Sequence, residues 1–144
     1  MKSRWLLAGA VVFGLAAELA AVPDRPMKKP RRDPIKEELA LLEGSWSYVA
    51  PNNNHVTIHN GTYTVTNPQG GIVLSADMII DPTKNPKWLN MRYSAGFYKG
   101  KTLLGIYELK SGTLRLYIDT SGQVRPAAFP TGGGTSLKRQ KQAK

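Results

Sequence analysis

The sequence HVTIHNGTYTVT at residues 55–66 gives the clearest indication of how this chain folds. Asn60-Gly61 is a preferred pair for the two-residue loop of a type I′ β-hairpin, because both loop positions need a positive φ. With that loop, His59 pairs with Thr62 and the remaining pairs follow outward along the two strands. Alternate side chains of a strand point to opposite faces. One face of the hairpin is then wholly apolar, formed by Val56, Ile58, Tyr63 and Val65.

The same period-two pattern continues along the chain. Further strands are predicted at residues 45–49, 72–81, 87–93, 102–110, 113–119 and 135–139, separated by turn residues. The next hairpin turns at Ser111-Gly112, which places Leu109 opposite Leu114, Tyr107 opposite Leu116 and Glu108 opposite Arg115. Eight short antiparallel strands at fairly even spacing indicate an all-β meander barrel or a sandwich.

A short helix is predicted before the first strand. Residues 35–43 read IKEELALLE, in which Ile35, Leu39 and Leu42 recur at helical spacing and Gly44 ends the pattern. We expect this helix to pack against one end of the β domain. The domain would then span residues 35–141, a usual size for a single domain.

The N-terminal residues have the three-part pattern of a secretory signal peptide. Lys2 and Arg4 precede an apolar run at residues 5–17, and small residues follow it. A retained membrane anchor is the alternative, but a spanning helix needs about 20 apolar residues and this run is shorter. We therefore expect residues 1–21 to be a cleaved signal peptide, and the mature protein to be exported, periplasmic or extracellular, without a transmembrane segment. The cut site stays open between Ala16, Ala20 and Ala21.

The positive charge of the chain is concentrated at its ends. The formal net charge is +10, yet residues 37–137 carry eight basic and seven acidic side chains. Residues 22–34 hold four prolines and five basic residues and are predicted to be a semi-stiff linker. Residues 142–144 are predicted to be a disordered tail. The basic ends could also bind an anionic surface polymer; nucleic acid is an unlikely partner for an exported protein.

The residue types give no positive support for catalysis. The chain has no cysteine, which excludes disulfides, thiol chemistry and cysteine zinc sites. His55 and His59 lie on one predicted strand about 13 Å apart, too far to share a metal ion. Asp77 and Asp81 are separated in the same way, and Asp81 before Pro82 is typical of a turn. We expect a protein that is not an enzyme and has no metal or cofactor. The aromatic residues expected in the core include Trp46, Tyr63, Tyr107 and Phe129.

Residues 41–141 resemble a family of uncharacterised lipocalin-like domains that is abundant in planctomycete bacteria. The resemblance rests on LEGSW at 42–46, DPTKNPK at 81–87, GIYEL at 105–109 with GTL at 112–114, and RP at 125–126 with Phe129 and a closing LKR at 137–139. Members often have a cysteine late in the strand that holds Tyr117, and this chain has none. The resemblance implies a calycin-type, eight-stranded antiparallel barrel and no known reaction.

Two further expectations come from the resemblance. Lipocalin relatives pack a tryptophan of the first strand beneath an arginine of the last, and Trp46 and Arg139 stand in the matching places. Such relatives often bind small apolar ligands. We therefore expect a monomeric, non-catalytic domain that binds a small hydrophobic ligand or acts as an interaction module. An open apolar cavity in the barrel would favour the first role, and a filled interior the second.

Overall fold

The computed structural model describes residues 29–49 and 53–141, together with the isolated positions 21 and 26. The chain divides into two units, Met1–Arg31 and Arg32–Lys144. The described residues of the first unit are exposed and have no regular structure. Residues 1–20 of the predicted signal peptide, residues 22–25 and 27–28 of the predicted linker, and the predicted tail at 142–144 lie outside the described residues.

One helix and eight strands form the second unit. They are α1 (Pro34–Leu42), β1 (Gly44–Tyr48), β2 (His55–His59), β3 (Thr62–Thr66), β4 (Ile72–Asp81), β5 (Lys87–Ala95), β6 (Thr102–Lys110), β7 (Thr113–Asp119) and β8 (Thr135–Arg139). Six strands have the predicted bounds. β1 begins and ends one residue earlier than predicted, and β5 continues to Ala95.

The strands form a closed barrel in which each pairs with its neighbours in sequence and β8 pairs with β1. Both predicted hairpin registers are confirmed, with His59 opposite Thr62 and Glu108 opposite Arg115. The loop residues Asn60 and Gly61 have φ values of 49° and 74°, as a type I′ turn requires. The chain is therefore an all-β, eight-stranded antiparallel meander barrel with a short N-terminal helix.

The helix begins one residue earlier than predicted, at a residue assigned above to the linker. The Asp33 side chain accepts a hydrogen bond from the Ile35 N–H at 3.0 Å and caps the helix. Pro34 follows as the first helical residue, where proline is favoured because its missing N–H would be unpaired anyway. The prolines of residues 22–34 therefore do not share one role, since the last of them starts the domain.

Alternate side chains of all eight strands point into the barrel interior. The residues that are almost fully buried include Leu42, Trp46, Val56, Ile58, Val65, Leu89, Met91, Tyr107, Leu114 and Leu137. Leu42 comes from α1, which covers one end of the barrel. We call this the helix end; the strands reach it at Gly44, His59, Thr62, Asp81, Lys87, Lys110, Thr113 and Arg139. The opposite end, reached at Tyr48, His55, Thr66, Ile72, Ala95, Thr102, Asp119 and Thr135, is the open end.

A second, smaller apolar cluster lies on the outside of the barrel. Ile106 points outward, between its cross-strand neighbours Trp88 and Tyr117, yet is fully buried. The loop at residues 120–134 folds back over this face. It is held there by the Arg125 guanidinium, which donates to the carbonyl oxygens of Leu89 at 3.0 Å and Gly105 at 2.6 Å.

The prediction that Phe129 belongs to the barrel core is wrong. Phe129 lies in the returning loop on the outer face, half-buried, with the Arg115 guanidinium 4.5 Å from its ring centroid. Arg115 also donates to the carbonyl oxygens of Pro130 and Gly133. Strand alternation could not place Phe129, because it lies outside every strand.

Candidate ligand-binding site

The helix end is closed by the predicted contact between Trp46 and Arg139. The two residues are direct cross-strand neighbours on β1 and β8. The Arg139 guanidinium carbon lies 4.2 Å from the Trp46 ring centroid. Trp46 is fully buried, whereas Arg139 keeps its outer side in solvent. A guanidinium over an indole face is an attractive cation–π arrangement.

The same two side chains satisfy the carbonyl groups at the C-terminal end of α1, which have no partner within the helix. Trp46 Nε1 donates to the Leu42 carbonyl oxygen at 3.0 Å. Arg139 donates to the carbonyl oxygens of Glu43 and Leu41. A cation at this position also complements the negative end of the helix dipole. The contact therefore ties the helix to both the first and the last strand.

Gly44 leaves the room that this arrangement needs. Its φ is 130°, and a Cβ atom added there would come within 2.8 Å of Arg139 Nη1. Gly44 ends the helical pattern in the sequence. The Arg139 guanidinium thus lies directly over this same residue.

A partly buried ion pair lies at the same end. Glu38, on α1, is 8% exposed, and its carboxylate is 2.5 Å from Lys87 Nζ on β5. The Tyr107 side chain is also buried here, and its hydroxyl has no hydrogen-bond partner in the described structure. Burial, together with the nearby negative charge of Glu38, raises the pKa of Tyr107 well above its usual value. At this end, the charged groups of the ion pair therefore lie beneath α1 and beside the buried Tyr107 ring.

The open end is different, because the barrel interior there is not filled. A cavity of about 340 Å³ opens between the strand ends. Aromatic and aliphatic side chains form its walls. They come from β1, β3, β4, β5, β6, β7 and the turn at residues 96–100, and they are Tyr48, Tyr63, Leu74, Met91, Tyr93, Tyr98, Leu103, Leu116 and Ile118. Tyr117 and the residues Thr120, Gly134 and Thr135 complete the lining near the surface. This volume is at the lower end of the usual range for ligand pockets.

The tyrosines provide the polar groups of this cavity. The hydroxyl groups of Tyr48 and Tyr63 lie 3.4 Å apart, which is long for a hydrogen bond between hydroxyls. The Tyr93 ring packs against the Tyr98 ring with a centroid separation of 5.3 Å. The cavity therefore holds hydroxyl groups whose hydrogen-bonding capacity is not fully used within the protein.

Burial keeps these hydroxyls protonated. It raises the pKa of Tyr93 from 10.0 to about 12, and the neighbouring tyrosines Tyr98 and Tyr48 add to the shift. Burial raises the pKa of Tyr63 further, with Tyr48 contributing. At neutral pH both hydroxyls are neutral groups that can donate a hydrogen bond to a ligand.

The cavity lining contains no charged side chain, since all its members are Tyr, Leu, Met, Ile, Thr or Gly. Two other pockets differ in this respect. One, of about 480 Å³ under the loop at residues 120–134, includes Asp119. The other, of about 380 Å³ at the helix end, includes Lys87 and Glu108 beside Tyr107. The open-end cavity thus combines an apolar wall with neutral hydroxyls inside the barrel.

The residues considered above for metal or acid–base chemistry are not brought together. His59 lies 3.2 Å from Glu43, and His55 lies 3.4 Å from Gln140, both at the exposed surface. Asp77 pairs with Arg92 at 2.9 Å. Asp81 accepts hydrogen bonds from the N–H and hydroxyl of Thr83, as expected for a turn residue, and these bonds lower its pKa. In the described part of the chain no three His, Cys, Asp or Glu residues are grouped as a metal site.

Most cavity residues were not identified from the sequence. Tyr63 was expected inside the barrel, and alternation from Trp46 and Leu89 would have placed Tyr48 and Tyr93 on the interior face as well. Tyr98 lies in a turn, where no periodicity applies. Nothing in the sequence distinguishes a tyrosine that fills a core from one that lines a cavity.

Comparison of this chain with protein-family models, with curated proteins and with solved structures gave no match. Among the described residues, no helix has the length and apolar character needed to cross a bilayer.

Proposed function

We propose that this protein is a non-catalytic binding protein that holds one small, uncharged, mainly apolar molecule in the open-end cavity. The observation that carries the proposal is the cavity itself: a space of about 340 Å³ inside a barrel whose other end is packed and capped. An eight-stranded barrel is wide enough to be filled by side chains or to hold one small ligand. In this barrel the helix end is covered by α1, and the open end contains the cavity.

The lining indicates the chemistry of the ligand. Transferring an ion into this cavity would be costly because no lining side chain offers an opposite charge. The rings and aliphatic side chains favour apolar surface, and the protonated hydroxyls of Tyr63 and Tyr93 favour a carbonyl, hydroxyl or ether oxygen. The ligand class is therefore a compact neutral molecule, aromatic or alicyclic, with one or two oxygen acceptors.

Binding is proposed instead of catalysis because protonated tyrosines donate hydrogen bonds but supply neither a base nor a nucleophile. Membership of the lipocalin-like family and export from the cell are part of the same proposal, supported by the sequence patterns described above. The alternative role, binding anionic polymer through the basic ends, stays a prediction, because much of those ends lies outside the described residues.

A fluorescence titration tests the proposal. The probe is N-phenyl-1-naphthylamine, a neutral apolar fluorophore whose emission rises in apolar surroundings. Two variants narrow the cavity from different strands, Ile118→Trp on β7 and Leu74→Trp on β4, both at half-buried lining positions. Val124→Trp is the matched control, because Val124 lines the external groove.

Saturable binding to the wild type and to Val124→Trp is expected, with affinity at least about tenfold weaker in both narrowed variants. Circular dichroism establishes that each variant is folded. Equal binding by all four proteins would place the probe elsewhere and refute the proposal, and loss of binding in Val124→Trp alone would move the site to the external groove.

A further inference from the structure

The rim of the open end contains apolar side chains that are exposed to solvent. Phe97 is 90% exposed at the tip of the turn at residues 96–100, and Ile72, in the first position of β4, is 64% exposed. Val73 follows in β4 and is exposed too, and its carbonyl oxygen passes directly beside Gly96. Single exposed apolar residues are ordinary, but a group of them at one end marks an interaction surface.

The turn that carries Phe97 is well defined. Its backbone makes hydrogen bonds from Lys99 to Gly96 at 3.1 Å, from Gly100 to Tyr93 at 2.8 Å and from Lys101 to Tyr98 at 2.9 Å. Gly96 and Gly100 both have a positive φ, which the turn requires. The Phe97 ring is therefore exposed to solvent on a turn whose backbone is ordered by hydrogen bonds.

The tip is connected to the cavity by ring contacts. The Phe97 ring meets the Tyr98 ring edge-on at 5.1 Å, and the Tyr98 ring packs on Tyr93 at 5.3 Å. Tyr93 and Tyr98 line the cavity. A continuous series of three aromatic rings thus leads from solvent into the barrel interior.

The charge around the tip is basic. Lys99 and Lys101 are exposed in and directly after the turn. Asp119 reaches the same end of the barrel, but its carboxylate is engaged by Ser121 and by the N–H of Val124. A protruding aromatic ring with flanking lysines has the chemistry of a membrane-interface anchor, in which the ring enters the headgroup region and the lysines meet anionic lipid.

We propose that the open end docks on the surface of an anionic lipid bilayer through Phe97, Ile72 and Val73, with Lys99 and Lys101 on the headgroups. A bilayer is the partner that these side chains fit, because its headgroups carry the negative charge that the lysines meet and its acyl boundary takes up the apolar side chains. Docked in this way, the cavity mouth would face the lipid, so an apolar ligand could enter without crossing water. That last step rests on the proposed ligand-binding function, whereas the docking itself does not.

Vesicle co-sedimentation without any ligand tests the docking. Phosphatidylglycerol–phosphatidylcholine vesicles are compared with phosphatidylcholine alone, and every variant is prepared in the same form of the chain so that the N-terminal residues contribute equally. Phe97→Ser tests the ring, with Ile79→Ser as its control, since Ile79 is an exposed residue on the side of the barrel. The double variant Lys99→Gln/Lys101→Gln tests the charge, with Lys110→Gln/Lys138→Gln at the helix end as its control.

We expect Phe97→Ser and Lys99→Gln/Lys101→Gln each to weaken binding to the anionic vesicles roughly tenfold, and the two controls to weaken it less than about twofold. A second readout reports the tip alone: the emission of Phe97→Trp should shift to shorter wavelength on adding anionic vesicles, and that of Ile79→Trp should not.

Equal losses in test and control variants would show that charge spread over the chain, and not the tip, binds the vesicles. A wild type that does not bind vesicles would also refute the proposal. A concentration-dependent dimer that Phe97→Ser abolishes, without any effect on vesicle binding, would assign the tip to a second copy of the chain. None of these outcomes changes the probe titration of the cavity, so the two proposals can fail separately.

Discussion

The helix end and the open end of this barrel use similar residues for different purposes. At the helix end, α1 and the Arg139 guanidinium cover a fully buried Trp46, and the interior is packed. At the open end no helix of the described residues covers the strands, and five tyrosines line a cavity instead. Aromatic side chains therefore stabilise one end and shape a hollow at the other. Both ends contain aromatic side chains, but the rings are covered by a helix and a guanidinium at one end only.

The largest effect is expected where a core side chain of α1 is removed. Leu42 is fully buried, whereas its neighbour Leu41 is 56% exposed. We expect Leu42→Ala to lower the free energy of unfolding by about 2–5 kcal/mol, because it leaves a cavity under the helix. Leu41→Ala should change it by less than about 0.5 kcal/mol. Urea denaturation measures both, and a similar small loss for the two would show that α1 does not close the barrel.

A smaller effect is expected from the guanidinium over Trp46. Arg139→Ala removes the cation–π contact and two hydrogen bonds to the end of α1, and should lower the free energy of unfolding by about 1–2 kcal/mol. Lys138→Ala is the adjacent control, since Lys138 is exposed and points away from the interior. Equal and negligible changes in the two variants would mean that Trp46 is held by the helix alone.

The sequence predicted the helix end much better than the open end. The contact of Trp46 with Arg139 was expected from the resemblance to lipocalin-like domains, and alternation places Leu137 and Arg139 on the same face of β8. The cavity depends instead on the space that is left between the rings of Tyr48, Tyr63 and Tyr93. Whether neighbouring rings meet or leave a space depends on strand tilt and on the turn at residues 96–100, and a period-two pattern carries no information on either.

The contacts of the loop at residues 120–134 could not be predicted from the sequence either. Arg125 and Phe129 were noted in the sequence as part of a resemblance, but no role was predicted for Arg125 and Phe129 was wrongly expected in the core. Arg125 bonds two carbonyl oxygens of β5 and β6 from outside the barrel, and Phe129 packs under Arg115. Contacts of an irregular loop with a distant strand leave no local signal in the sequence.

The smallest effect concerns the pH dependence of stability that the open end contributes. The Tyr93 hydroxyl has its pKa raised from 10.0 to about 12 by burial. The unfolded chain therefore loses this proton at lower pH than the folded chain, so stability is fully present below pH 10 and falls as the pH rises toward 12. By pH 11, halfway through this range, Tyr93→Phe should reduce that fall by about 1 kcal/mol.

Tyr117→Phe is the control for this titration, because Tyr117 lies half-buried between the cavity rim and the external groove. Urea denaturation at a series of alkaline pH values provides the comparison. An alkaline loss of stability that Tyr93→Phe leaves unchanged would show that the Tyr93 hydroxyl is not desolvated at the open end.

Methyl NMR distinguishes the two ends in a single experiment. The protein is labelled at its Met, Leu, Ile and Val methyl groups and titrated with N-phenyl-1-naphthylamine. The methyl signals of Met91, Leu103 and Ile118, which line the cavity, should shift in proportion to occupancy. Those of Leu42 and Leu114, at the helix end, should not move. Shifts centred on the helix-end methyls, or on Val124 in the external groove, would show that the hollow half of the barrel is not where a ligand binds.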